Sequence, residues 1–163
     1  MTQAKYKEML KEKISSSIHE QLVDFSVSIC EQLLPDYISF SEAEDYGNVK
    51  LMKEAITFCK ENRDQSPETL RMKIDLEELE ENIPDVDESE VLDSTTAINA
   101  SCAIFELLEY FSDGEPEHIL NIAMYSVDTT CFKIGIVDYV IHTEDLDKDS
   151  PITAEYNRLL GYF

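Results

Sequence analysis

The sequence has 163 residues with 13 basic and 35 acidic side chains, a formal net charge of −22 and an isoelectric point near 4.2. At about 100–200 residues per domain, the length fits one domain over 1–163, and 43% hydrophobic residues is enough for a packed core rather than a disordered acidic tail. A polyanion of this kind is repelled by nucleic acid and by anionic lipid surfaces, so neither is expected as a partner. Nor does any stretch approach the roughly 18 apolar residues of a membrane helix. The charged start, MTQAKYKEMLKEK, lacks the apolar core of a leader. A soluble, cytoplasmic protein is expected.

The first helical periodicity follows Ser15, Ser16 and Ser17, where Ser17 and Glu20 have capping-box spacing. Ile18, Leu22, Phe25, Ile29 and Leu33 then share a stripe until Pro35, which is expected to end the helix. A shorter helix is expected over Asp36–Tyr46, closed by Gly47. Val49, Met52, Ile56 and Cys59 mark the next. Ser66 as cap and Pro67 at the first helical position then predict another, fading into acid near Pro84.

The stretch from Asp75 to Asp93 carries ten acids and no base, and is expected to be an exposed helix end followed by a loop. Residues 74–163 as a whole hold 22 acids against 3 bases, so −19 of the −22 lies in that half. The two most apolar helices follow, Ser94–Phe111 and Glu117–Val137, separated by Asp113-Gly114-Glu115-Pro116 and expected as a central antiparallel hairpin. On a helical wheel the first leaves only Asn99, Glu106 and Tyr110 as a polar strip, and the second Glu117, Asn121 and Asp128. Helices so apolar are central, or covered by a second copy of the chain as a homodimer. The helical pattern continues weakly through Ile134–Ile141, and Ser150-Pro151 caps a last helix through Leu160. The fold class is therefore all-α, a multi-helix bundle.

Familiar chemistry finds little to attach to. The four glycines are isolated, so no phosphate-binding loop is present. Cys30, Cys59, Cys102 and Cys131 stand singly on apolar stripes and read as reduced core residues. His19, His118 and His142 each fall near a helix end, where a surface histidine is the ordinary reading. One Glu-x-x-His pair occurs, Glu115 and His118, where di-iron bundles need two, and its place at a helix start suits a capping role better than a metal role. Asp145, Asp147 and Asp149 alternate like calcium ligands, as do Asp85, Asp87 and Ser89. Neither loop has the central Gly or the closing Glu, however. No cofactor, metal site or catalytic set is expected.

Several stretches resemble a known family. Phe25 to Phe40, with its Pro-x-Tyr turn, is one. Leu79-Glu-Glu-Asn-Ile-Pro-Asp-Val-Asp followed by Thr96 to Leu108 is a second, and Ser126-Val-Asp-Thr-Thr130 a third. In that order they resemble the YjaG-like family of uncharacterised bacterial proteins (domain of unknown function 416), over roughly residues 20–135. The resemblance implies an all-α fold and a cytosolic bacterial protein. It implies no activity, because the family offers no established catalytic or ligand residues. It departs at the C-terminus, where members run on through a further helix and this sequence stops at Phe163.

Charge and the missing chemistry favour a non-catalytic protein that binds a basic protein partner through Asp85, Asp87, Glu88, Glu90 and Asp93. The alternative is a small-ligand binder or enzyme with a pocket between the central helices at Thr95, Asn99, Asp128 and Thr129.

Overall fold

The computed structural model describes residues 1–67, 69–85, 94–136 and 145–163. Among these residues are seven helices and no strand: α1 (Gln3–Ser16), α2 (His19–Glu44), α3 (Val49–Glu61), α4 (Leu76–Glu81), α5 (Ser94–Asp113), α6 (Pro116–Lys133) and α7 (Pro151–Leu160). The all-α reading stands. No helix among the described residues is long and apolar enough to cross a membrane.

Helix α5 is the hub. Ala97, Ala100, Ala103, Ile104, Leu107 and Leu108 are fully buried, and α2 packs closely against the helix. α6 packs along its other flank, linked through Gly114 and Glu115. The cross-contacts pair Asn99 with Thr129 and Glu106 with His118 and Asn121, so one helix descends as the other ascends. Among the described residues no large apolar side chain of α5 or α6 is exposed. Among the described residues these two helices are central, with α2 packed against both.

Five expectations are corrected. The N-terminal segment forms α1, whose narrow stripe of Tyr6, Leu10 and Ile14 is buried at four-residue spacing behind a Thr2 cap. Ser17 belongs to the end of that helix, its hydroxyl donating to the Lys13 carbonyl, so no capping box opens α2. Pro35 does not end α2. It sits on the exposed side and removes one hydrogen bond to the Glu31 carbonyl, while Leu33, Tyr37 and Phe40 are buried on both sides of it. Packing therefore carries the helix through a break that costs about 3 kcal/mol in an isolated helix.

Ser66-Pro67 starts no helix. Thr69 and Leu70 close a turn on the Ser66 carbonyl, and the chain then runs extended, with Leu70, Met72, Ile74 and Leu76 packed on the core and Arg71, Lys73 and Asp75 exposed. Finally, α6 ends at Lys133, where Gly135 takes a positive φ of 81° and turns the chain out of the helix. The rest of the expected continuation, from Val137, lies outside the described residues. The expected last helix forms with its Ser150 cap on the Thr153 amide.

The turn after α2 depends on a buried hydroxyl. Tyr37 is fully buried, and its hydroxyl donates to the Asn82 carbonyl at 2.7 Å while accepting from the Asn48 amide at 3.1 Å. Gly47, at φ 82°, passes directly over it, and a Cβ there would fall inside the contact radius of the hydroxyl oxygen. Gly135 has nearly the same φ but open space around it. Replacing Gly135 by Ala should cost about 1 kcal/mol, the left-handed penalty alone. Gly47→Ala should cost about 2–5 kcal/mol, because the clash with Tyr37 is added. Urea denaturation of the two variants checks this, and equal losses would mean that the Tyr37 contact is not rigid.

Candidate functional site

The described part of the strongly acidic segment, residues 75–85, is built onto the core rather than left as a fringe. Asp75 caps α4 by accepting from the Glu77 and Glu78 amides, and Leu79 is fully buried beneath the helix. The carbonyls just past its C-terminal end are taken by two tyrosines. Tyr46 donates to Ile83 at 3.1 Å and makes a longer contact with Glu81 at 3.3 Å, beside the Tyr37 bond to Asn82. Six residues are too few for a stable isolated helix, so these tertiary contacts hold it. The result presents Asp75, Glu77, Glu78, Glu80 and Glu81, all exposed, and among the described residues none of the five is paired with a cation. Asp85 follows, also exposed. Asp87, Glu88, Glu90 and Asp93 lie outside the described residues.

Cations are placed elsewhere, as clasps between helices. Arg63 grips Asp24 through two hydrogen bonds and reaches Glu20, Lys60 meets Glu31, and Lys133 meets Asp36. Exposed pairs of this kind are weakened by water and salt, so they align α2, α3 and α6 more than they stabilise them.

The polar groups of the second expected site meet along the seam of α5 and α6. Asn99 and Thr129 are buried and joined at 3.1 Å, so they close on each other rather than line a cavity. Thr95 lies half-buried one turn before Asn99. Asp128 is half-buried beside Tyr125, and its carboxylate makes no hydrogen bond among the described residues. Burial pushes it up to about 6, against a smaller opposing pull from Lys7. Cys102 and Tyr125 face each other across the same seam, and burial raises both their pKa values. Tyr110, expected on the polar strip, is buried and meets His19 at 2.9 Å.

At the turn end of the seam lies a cluster that spacing along the chain does not reveal. His118 pairs not with Glu115 but with two α5 carboxylates, Nδ1 with Glu106 at 2.5 Å and Nε2 with Asp113 at 2.9 Å. Burial alone lowers the imidazole's pKa, but these two hydrogen bonds and charges outweigh it and raise it. Asp113 is lowered in turn: burial opposes this, and the Glu115 amide and His118 prevail. The available signal was the stripe Glu106, Glu109, Asp113, three carboxylates on one helical face at spacings of three and four. The four cysteines are free thiols, with Cys30, Cys59 and Cys131 buried and Cys102 half-buried, as expected of core residues.

The described residues also enclose open clefts. One, of about 780 Å³, lies between α3 and the extended segment, with Lys50, Lys53 and Lys73 at its rim over Phe58 and Ile74. A second, about 630 Å³, runs beside α1 against Glu117 and Leu120. Neither contains Thr95, Asn99, Asp128 or Thr129.

Comparison with known proteins places these features in a family. A family model described as "Protein of unknown function (DUF416)" matches residues 10–157. The chain is 26% identical over 110 residues to the uncharacterised protein YjaG of Salmonella typhimurium, and equally to that of Escherichia coli K12, covering 67% of this chain in each case. The matched part spans 56% of each relative's length, so just over half of those proteins is represented here. A crystal structure of a DUF416 family protein from Shewanella baltica OS155 superposes with a TM-score of 0.73 at 26% identity, over 95% of this chain and 82% of that one. With the family model matched along most of its length, the chain belongs to the DUF416 family.

Proposed function

We propose that this is a non-catalytic cytosolic protein that docks a basic protein partner on the acidic surface formed by α4 and the run that follows it. The observation that supports the reading is the anchoring of α4. Five exposed carboxylates are held on a helix whose C-terminal end is tied to Tyr37 and Tyr46. Acids that serve only solubility need no fixed geometry, whereas a docking surface benefits from one because less conformational entropy is lost on binding. Unpaired carboxylates of one sign also steer a basic partner toward the surface.

The test is capture from the native host's lysate at about 0.1 M and about 1 M salt, between which the Debye length falls from about 10 to about 3 Å. A basic partner should be retained at low salt and released at high salt. It should be lost when Glu77, Glu78, Glu80 and Glu81 are changed to Gln, and equally when Asp85, Asp87, Glu88 and Glu90 are changed to Asn and Gln. Retention by both variants contradicts the proposal.

A second reading, a ligand site at the α5–α6 seam, is favoured by Asp128 alone. A carboxyl kept near pH 6 without a hydrogen bond is a group poised to exchange a proton or to meet a cationic ligand. The folded protein binds that proton more tightly than the unfolded chain does. The charge on Asp128 therefore costs stability above about pH 6 and nothing below the ordinary carboxyl range near pH 4. Asp128→Asn should stabilise the protein by about 1 kcal/mol at pH 8, allowing for partial exposure, with the gain vanishing toward pH 4. Denaturant melts of both proteins at the two pH values measure it, and a gain independent of pH would show that desolvation of the carboxylate is not the cause.

A further inference from the structure

We infer that Glu109, Asp113 and His118 form a binding site for one first-row divalent cation, with Glu106 as the carboxylate behind the histidine. One donor atom from each of the three residues lies within 4.8 Å of the others, and His118 Nε2 is 2.9 Å from Asp113 Oδ2. Around an ion with bonds of about 2.1 Å, donors stand about 3.3 Å apart, so only the Glu109 side chain needs to swing inward. One imidazole and two carboxylates suit Zn²⁺, Co²⁺, Mn²⁺ or Fe²⁺, whereas Ca²⁺ and Mg²⁺ favour oxygen donors throughout.

What separates this cluster from a chance gathering of acids is how the other atoms are held. The ring nitrogen facing away, Nδ1, is bonded to Glu106 Oε2 at 2.5 Å, the carboxylate–histidine arrangement that fixes ring orientation behind a metal. Glu106 Oε1 is in turn contacted by the Asn121 amide at 3.3 Å. Asp113 Oδ1 accepts from the Glu115 backbone amide at 2.8 Å, which leaves Oδ2 directed at His118. Charge points the same way. Glu106, Glu109 and Asp113 share one stripe of α5, and among the described residues His118 is the only basic side chain paired with them. A dication that displaces the Nε2 proton adds two positive charges where one is released, so it neutralises the stripe better than the imidazolium does.

The test uses the full chain, stripped with chelator, and Co²⁺ as the probe. One Co²⁺ per chain should bind with visible d–d bands and be displaced by Zn²⁺. Glu106→Gln should weaken binding about 10–100-fold, His118→Gln and Asp113→Asn should weaken it further, and Glu117→Gln, outside the cluster, should leave it unchanged. Circular dichroism establishes that each variant is folded, and Asp113→Asn carries the test if His118→Gln does not fold. No uptake of Co²⁺ by the native chain would overturn the site. So would undiminished binding by folded His118→Gln or Asp113→Asn, or a thiolate-to-cobalt charge-transfer band, which would put the ion on a cysteine instead.

Discussion

Burial of α5 is the constraint from which the rest of the arrangement follows. A helix that presents alanine, leucine or isoleucine around most of its circumference has to be covered on most sides. α2 covers one flank, α6 another, and α3 and α4 close the remainder. The side of α5 that reaches toward solvent carries Thr95, Cys102, Glu106, Glu109, Ser112 and Asp113, and the carboxylates that meet His118 are drawn from it. The same requirement explains α4. Leu79 is drawn onto the core, and the five acids around it are thereby turned outward on a fixed support.

Electrostatics then divides the molecule. In the first half the bases are close to balance with the acids and several are spent as clasps between helices, as at Arg63 and Lys60. In the second half two of the three bases, Lys133 and Arg158, are engaged by Asp36 and Glu155, and among the described residues no cation is paired with the acids of α4. Unscreened, such a surface repels itself and destabilises the fold slightly. Its place on an anchored helix is the support for the proposed docking of a basic partner.

Much of this was legible in the sequence, and the failures have physical causes. α3, α5 and α7 were announced by stripes and caps wide enough to survive any packing, as with Val49 to Cys59 or Ser150 before Pro151. α1 was missed because three apolar residues, Tyr6, Leu10 and Ile14, make a stripe too thin to stand out from the lysines around them. Pro35 and Ser66-Pro67 misled for opposite reasons. Local preference predicted a stop where burial of Tyr37 and Phe40 overrides it. It also predicted a start where the alternation of Leu70, Met72, Ile74 and Leu76 pulls the chain into an extended run. The Asn99–Thr129 bond and the His118 cluster needed the pairing of α5 with α6, since each joins residues from two helices. Their types were visible, but their meeting was not.

The hydroxyls of Tyr37 and Tyr46 hold the acidic surface in place, which hydrogen–deuterium exchange of the α4 amides would reveal. In the native chain the amides of Leu79 and Asn82 should be protected well beyond what a six-residue helix supplies by itself. Tyr37→Phe should remove that protection while leaving α5 and α6 unchanged. Rapid exchange of α4 in the native protein, or protection that survives loss of the hydroxyl, would contradict the account and make α4 a solvated edge.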